Sequence, residues 1–340
     1  MSAQSTAQDM VATVGMGRMT RMRRGVTTAA LLAAAVTGSL VTGCTSGGGP
    51  GDDGRGRHDE PAPTDSAGRP ADPVLAVKID NASAARPQTG LNAADVVYAE
   101  QVEGGLSRLM AVYATRLPET VGPVRSARES DLELLRQFHE PTLAFSGAQH
   151  KLLPLIDKAP LDPVRPEENS AAYFRGTDRA APHNLYLRPR KLMDAAPGAD
   201  ALTTGFRFGA APAGGTPQAE RTVRFPAARF TFTWSAERER WLVAMDGRPT
   251  VTTDAGRAAP ATVVVQHVTV RTSRFHDVLG NYTPYTQTVG SGKAEVLRDG
   301  RVFDAEWHRG SAADGTEFTT ADGKRMNFAE GQVWVVFTKS

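Results

Sequence analysis

Val74-Leu75-Ala76-Val77-Lys78-Ile79 is the stretch from which the fold is read. It is a short apolar run with β-branched residues, bounded by Pro73 and by Asp80-Asn81, and it predicts a strand. Working outward from it, residues 96–102, 109–113 and 142–145 have the same character. Between them, Leu132, Leu134, Leu135 and Phe138 recur at helical spacing, so a helix is expected over 126–139, stopped by Pro141. Shorter helices are expected at 149–157, interrupted by Pro154, and at 189–195. The second half reads as strands at 230–234, 241–245, 262–270, 285–289, 294–297, 302–307 and 333–337. Turn pairs such as Asp246-Gly247, Asp299-Gly300, Asp314-Gly315 and Asp322-Gly323 separate several of them. The expected class is α+β: an N-terminal mixed α/β domain at 73–205, an insertion or linker at 206–224, and a β-rich C-terminal domain at 225–340. The second domain is expected to be an antiparallel sheet, sandwich or partial barrel.

The chain before Pro73 has a different composition. Arg18, Arg21, Arg23 and Arg24 precede an uncharged stretch from 25 to 43, the layout of a secretory signal. Its apolar part is interrupted by Thr37, Gly38 and Ser39, short of the roughly 20 apolar residues that a spanning helix needs. Val41-Thr42-Gly43 leads into Cys44, the only cysteine of 340 residues. This resembles a bacterial lipobox, with the cysteine diacylated (palmitate among the acyl chains) after removal of residues 1–43. A chain anchored by two acyl groups to the outer face of the cytoplasmic membrane is expected. Residues 45–72 are Gly, Pro, Ser, Thr, Asp and Arg almost throughout, which reads as a tether with too little apolar surface to fold. Loss of the four signal arginines and Asp9 leaves a formal charge of −1, so no basic excess points to nucleic acid.

Polar clusters stand out in the first half. In Gly122-Pro123-Val124-Arg125-Ser126-Ala127-Arg128-Glu129, Ser126 and Glu129 have capping-box spacing. The segment is either an ordinary helix start or an anion site in which Arg125 and Arg128 flank free backbone N–H groups. Gly104-Gly105 reads as a hairpin turn needing positive φ, with Glu103 and Arg108 able to point to one rim. His183 and Asn184 lie in a loop after Pro182. Asn81, Arg86 and Asp95 complete the candidate set, and Arg86, Glu103, Arg108, Arg125, Arg128, His183 and Asn184 are expected to converge. Of the two helix-start arginines, Arg128 is expected to be the milder loss. The other histidines show no metal-ligand spacing, so no metal site or cofactor is expected. No G-x-S-x-G, S-x-x-K, Walker A or G-x-G-x-x-G motif is present.

The same clusters resemble the YerB-like bacterial lipoprotein family, a two-part family of exported proteins of unknown function. The resemblance runs through Val77-Lys78-Ile79-Asp80-Asn81, Arg86-Pro87-Gln88-Thr89-Gly90-Leu91, Ala94-Asp95-Val96-Val97-Tyr98 and Glu103-Gly104-Gly105 with Arg108. It continues through the segment from Gly122 to Arg128 and Ala181-Pro182-His183-Asn184-Leu185-Tyr186, and more loosely through Gly290-Ser291-Gly292-Lys293-Ala294 and Gly331-Gln332-Val333-Trp334-Val335. It implies a lipoprotein with an α/β-type domain followed by a β-rich one, and no particular reaction. Two functions remain open from the residues. One is a binding lipoprotein of the cell envelope that takes a wall-derived or other anionic ligand. The other is a hydrolase or transferase on an envelope polymer, with Glu103, Asp95 or His183 as acid–base. A third reading makes the clusters structural braces.

Overall fold

The computed structural model describes residues 72–277 and 279–340. The expected signal segment, Cys44 and the tether up to residue 71 lie outside the described residues. The first run is a strand as expected, β1 (Leu75–Asp80), with every side chain buried. It pairs antiparallel with β3 (Ser107–Tyr113), which pairs antiparallel with β2 (Val96–Gln101). On the other side of β1 lie β4 (Thr142–Ala144) and then β5 (Asp162–Val164), both parallel. A separate hairpin is formed by β6 (Tyr173–Arg175) and β7 (Leu185–Leu187).

The second half supplies a hairpin layer and the rest of the main sheet. The layer comprises β9 (Glu220–Arg224), β10 (Arg229–Ser235), β11 (Arg240–Met245) and β12 (Arg248–Pro249), preceded by the two-residue β8 (Thr216–Pro217). A small ribbon, β13 (Val251–Thr252) with β14 (Gly256–Arg257), follows. Then come β15 (Thr262–Val268), the hairpin β16 (Val270–His276) and β17 (Tyr282–Thr286), β18 (Gly290–Arg298), β19 (Arg301–Arg309), β20 (Glu317–Thr320) and β21 (Val333–Lys339). The main sheet has the order β20-β19-β18-β15-β21-β2-β3-β1-β4-β5, with β8 on β19. The last strand, β21, runs parallel to both β15 and β2 and so joins the two halves of the chain in one sheet.

Burial on both faces explains the apolar runs: in β21, Trp334 and Val336 enter one core while Val333, Val335 and Phe337 enter the other. The first core packs against β10 and β11, where Trp334 meets Phe230 and Phe232 at 6.4 and 6.2 Å between ring centroids. The second is covered by α1 (Glu129–Leu135), by Ile156 of α2 (Leu153–Ile156), and by Phe206, Phe318 and Phe328.

The molecule is therefore mostly β with a large mixed sheet, so the α+β expectation with an α/β first half holds only loosely. Residues 126–128 are not helical because 125–127 bind like a strand: Arg125 N–H donates to Lys78 C=O and Ala127 N–H to Gly147 C=O. Pro154 falls in the first turn of α2, which begins at Leu153 rather than at 149, while 189–195 keeps only a 3-10 turn, Pro189–Lys191. The second half also departs from a purely antiparallel sheet through the parallel pairs of β21. Among the described residues, no helix is long and apolar enough to cross a membrane.

Candidate functional site

On the α1 face of β1, β2 and β3 the side chains change character along the strands. Val74 and Ala76, Val96 and Tyr98, Val112 and Met110 are core residues. The next positions on that face are Lys78 and Asp80, Glu100, and Arg108. The strands thus run from an apolar core into an ionic end.

The first ionic group is closed. Lys78 Nζ is fully buried and donates to Glu100 and, at 2.6 Å, to Asp131 Oδ1. Ser130 Oγ donates to Glu100 Oε2 at 2.8 Å. Two buried carboxylates share one ammonium, so the pair retains a proton above the usual carboxylate range: Asp131 is pushed up to about 6 by burial, with Glu100 adding to the rise and Lys78 opposing it. Asp131 Oδ2 also accepts the Arg128 backbone N–H at 2.6 Å. The cap of α1 is therefore Arg128 with Asp131, in place of the expected Ser126 with Glu129.

The second group opens onto a cavity of about 470 Å³ lined by Glu103, Arg108, Arg125, Ser126, Arg128 and Glu129, with Leu106, Leu152, Phe275, Leu279 and Thr283 among its other walls. The Gly104-Gly105 turn joins β2 to β3 with φ of 67° and 70°, as the sequence required, and sets Glu103 and Arg108 at one end of that hairpin. Arg128 holds Glu103 in a two-pronged pair, Nε to Oε1 and Nη2 to Oε2, both 2.7 Å, and Thr283 Oγ1 donates to the same carboxylate. Burial pushes the Glu103 carboxyl up, but Arg128 and Thr283 outweigh it and hold it below its usual range. Arg125 lies on Asp80 at 3.2 Å, and His183 Nδ1 meets the same Asp80 oxygen at 2.8 Å.

Arg108 differs from its neighbours. It is 8% exposed, donates to the Ser126 C=O at 3.0 Å, and forms no ion pair among the described residues. Burial first, then the nearby Arg128, bring its guanidinium down to about 10, with Arg125 adding to the fall and Glu103 and Asp80 opposing it. A buried cation beside two other cations, facing a cavity, is the arrangement an anion would relieve.

The expected convergence is partial. Glu103, Arg108, Arg125 and Arg128 share the cavity; His183 is joined to it through Asp80 but is not among the lining residues. Arg86 donates to Asn81 Oδ1 at 3.1 Å and pairs with Asp246 at 2.8 Å, while Asn81 donates to Ser107 Oγ at 2.8 Å. Arg86 lines a different cavity. Asn184 ties the β6–β7 hairpin, accepting from Arg175 and donating to Gly176 C=O, both at 2.9 Å. Asp95 sits at the opposite end of the β2–β3 hairpin, accepting the Ala114 and Thr115 N–H groups at 2.6 and 3.0 Å. Lys78, Asp131 and Thr283 were not singled out. A lysine inside an apolar strand run was the available signal for the first, since a buried ammonium requires carboxylates. Thr283, 180 positions from Glu103, left none.

A mixed sheet with a hairpin layer on one face, and at the ionic end of its central strands a cleft lined by Arg108, Arg125 and Arg128 together with Glu103, Glu129 and Asp277, defines the class. Matches to "Protein of unknown function (DUF3048)" cover its N-terminal domain over residues 61–202 and its C-terminal domain over 221–335, and the chain belongs to this family. It is 24% identical over 278 residues to the Bacillus subtilis (strain 168) protein named "Putative lipoprotein YerB", covering 77% of this chain and 80% of that one. A crystal structure of the YerB protein from Bacillus subtilis matches with a TM-score of 0.65 at 21% identity, over 79% of this chain and 91% of that chain. That likeness is one of fold.

Proposed function

We propose that the protein is a lipid-anchored, extracytoplasmic lipoprotein of the cell envelope that binds an anionic group between Arg108, Arg125 and Arg128. The observation that carries the binding reading is Arg108, a buried guanidinium without a carboxylate ion-pair partner among the described residues, at the wall of an open cavity. The lipobox-like Val41 to Cys44 and a relative named as a lipoprotein support the anchor. Nothing in the cleft favours the hydrolase or transferase reading. Glu103 is held ionised by Arg128, which makes it a poor proton donor at neutral pH, and His183 does not line the cavity.

The test is a thermal melt with inorganic phosphate or acetate added at matched ionic strength. Bound anion raises the melting temperature by mass action. Arg108→Met is expected to melt at or above the wild-type temperature without anion and to lose the anion-dependent rise. An equal rise in both proteins overturns the site, and severe destabilisation of Arg108→Met makes the cluster a brace. For the anchor, Cys44→Ser is expected to release the protein from membranes; retention after a high-salt wash overturns the lipid assignment.

A further inference from the structure

The large apolar side chains left exposed among the described residues are Leu106, Phe208, Val251, Leu279 and Tyr282, and three of them stand at one place. Leu106 and Leu279 are walls of the cleft that holds Arg108. Tyr282 precedes Thr283, which lines the same cleft and bonds to Glu103 at the β2–β3 turn. Leu106, Leu279 and Tyr282 are 44%, 82% and 65% exposed, so a partner can reach all three. Single exposed apolar residues need no explanation, but a group of them at the rim of a site marks a contact surface.

The β16–β17 hairpin is fixed against the cleft on both strands: Ser273 Oγ donates to Glu129, and Thr283 Oγ1 to Glu103. At its far end the Asp277 carboxylate accepts the Leu279 and Asn281 N–H groups at 2.8 and 2.9 Å, and Asn281 Nδ2 at 3.0 Å. Polar and small residues suffice for a turn of this kind. Leu279, almost wholly exposed within it, adds little to the packing of the fold.

The charges around the rim select the partner. Its carboxylates are spoken for: Glu103 by Arg128, Glu129 by Ser273 with Arg274 at 3.9 Å, and Asp277 by the turn. Arg108 has no ion pair, and neither do two exposed cations among the described residues, Arg271 on β16 and Lys151 between the cleft residues Gln149 and Leu152. Exposed leucines and a tyrosine among unneutralised cations complement the interface of an anionic bilayer. There, apolar side chains enter the acyl boundary, tyrosine sits at headgroup level and basic groups meet phosphates. We propose that this rim docks on an anionic phospholipid membrane, with Leu106, Leu279 and Tyr282 at the acyl boundary and a lipid phosphate in the cleft. The inference rests on the anion-binding reading of the cleft and names its ligand as a phosphate carried on hydrocarbon chains.

The experiment is co-sedimentation with vesicles of phosphatidylcholine alone or of equal parts phosphatidylcholine and phosphatidylglycerol. It uses the mature chain, residues 44–340, with Cys44→Ser so that no acyl group contributes. Binding to the mixed vesicles is expected to be about tenfold tighter or more, and to fall away in high salt, so docking does not replace the anchor. Leu279→Ser should melt as the wild type does and bind about tenfold more weakly, and Leu279→Trp should recover the binding. Arg108→Met is expected to cost about fivefold on the mixed vesicles. Docking is overturned if neither vesicle sediments the chain, if both do so alike, or if Leu279→Ser binds as the wild type does. A melting temperature raised by inorganic phosphate without sedimentation overturns docking and leaves the anion site standing. Vesicle binding indifferent to Arg108→Met overturns the place of the lipid phosphate in the cleft.

Discussion

The Lys78 group and the Arg108 group occupy adjacent positions on one sheet face, yet they are opposite electrostatic constructions. Around Lys78 two carboxylates and a serine enclose one ammonium, and every charge is out of reach of solvent. Around Arg108 three guanidinium groups meet a cavity, with Glu103 and Asp80 committed to Arg128 and Arg125. A charge in a closed group is held because its partners need it. A charge in an open group lacking a partner is held for something else, and removing it should not harm the fold.

The largest expected effect is therefore Lys78→Met, which leaves Glu100 and Asp131 facing each other in the core and should cost about 3–5 kcal/mol in denaturant unfolding. A loss below about 1 kcal/mol would break the contrast, since the triad would then not be a brace. Next is Arg128→Ala. It strands a Glu103 that is 9% exposed, and a loss of about 1–3 kcal/mol is expected, discounted from the fully buried case because the cavity is open. This reverses the order expected from sequence, where Arg128 was the milder loss; thermal melts of both single mutants decide it.

The shared proton gives a pH signature. Asp131 titrates at about 6 in the fold against 3.8 in an unfolded chain, so between these values the native state binds more protons than the unfolded one, and stability falls as pH rises through that window. Asp131→Asn should flatten this slope by on the order of 1 kcal/mol, Glu100 opposing part of it. An unchanged slope between pH 4 and 6 would place the proton elsewhere. Arg125→Ala comes last, at about 0.5–1 kcal/mol, because its side chain is 27% exposed and Asp80 keeps His183. If it equalled Arg128→Ala, the cleft would be braced at both arginines.

Much of the candidate site was legible. Gly104-Gly105 could be read as a turn because φ near +70° is open to glycine at little cost, and that turn puts Glu103 and Arg108 on one rim. Asp95 and Asn184 were misleading for one reason: a polar side chain that satisfies backbone groups has the same composition as one that meets a ligand. Asp95 spends its carboxylate on the N–H groups of Ala114 and Thr115. The helix over 126–139 was overread because its apolar spacing is present, but Arg125 and Ala127 find strand-type partners across the chain that a helix would forfeit.

What the sequence by itself determined is local: which runs are strands, where turns require glycine, the composition break before Pro73, and the family membership carried by its motifs. Alternation and turn stereochemistry act within a few residues, so they are written in order along the chain. The tertiary structure alone decided which charges are partners. The pairing of β21 with β2, which makes the two halves one sheet, and the contacts of Lys78 with Asp131 and Glu103 with Thr283 depend on strand order and on segments far apart in sequence. Whether a buried charge is compensated depends on distances of a few ångströms between such segments, and these exist only once the sheet is assembled.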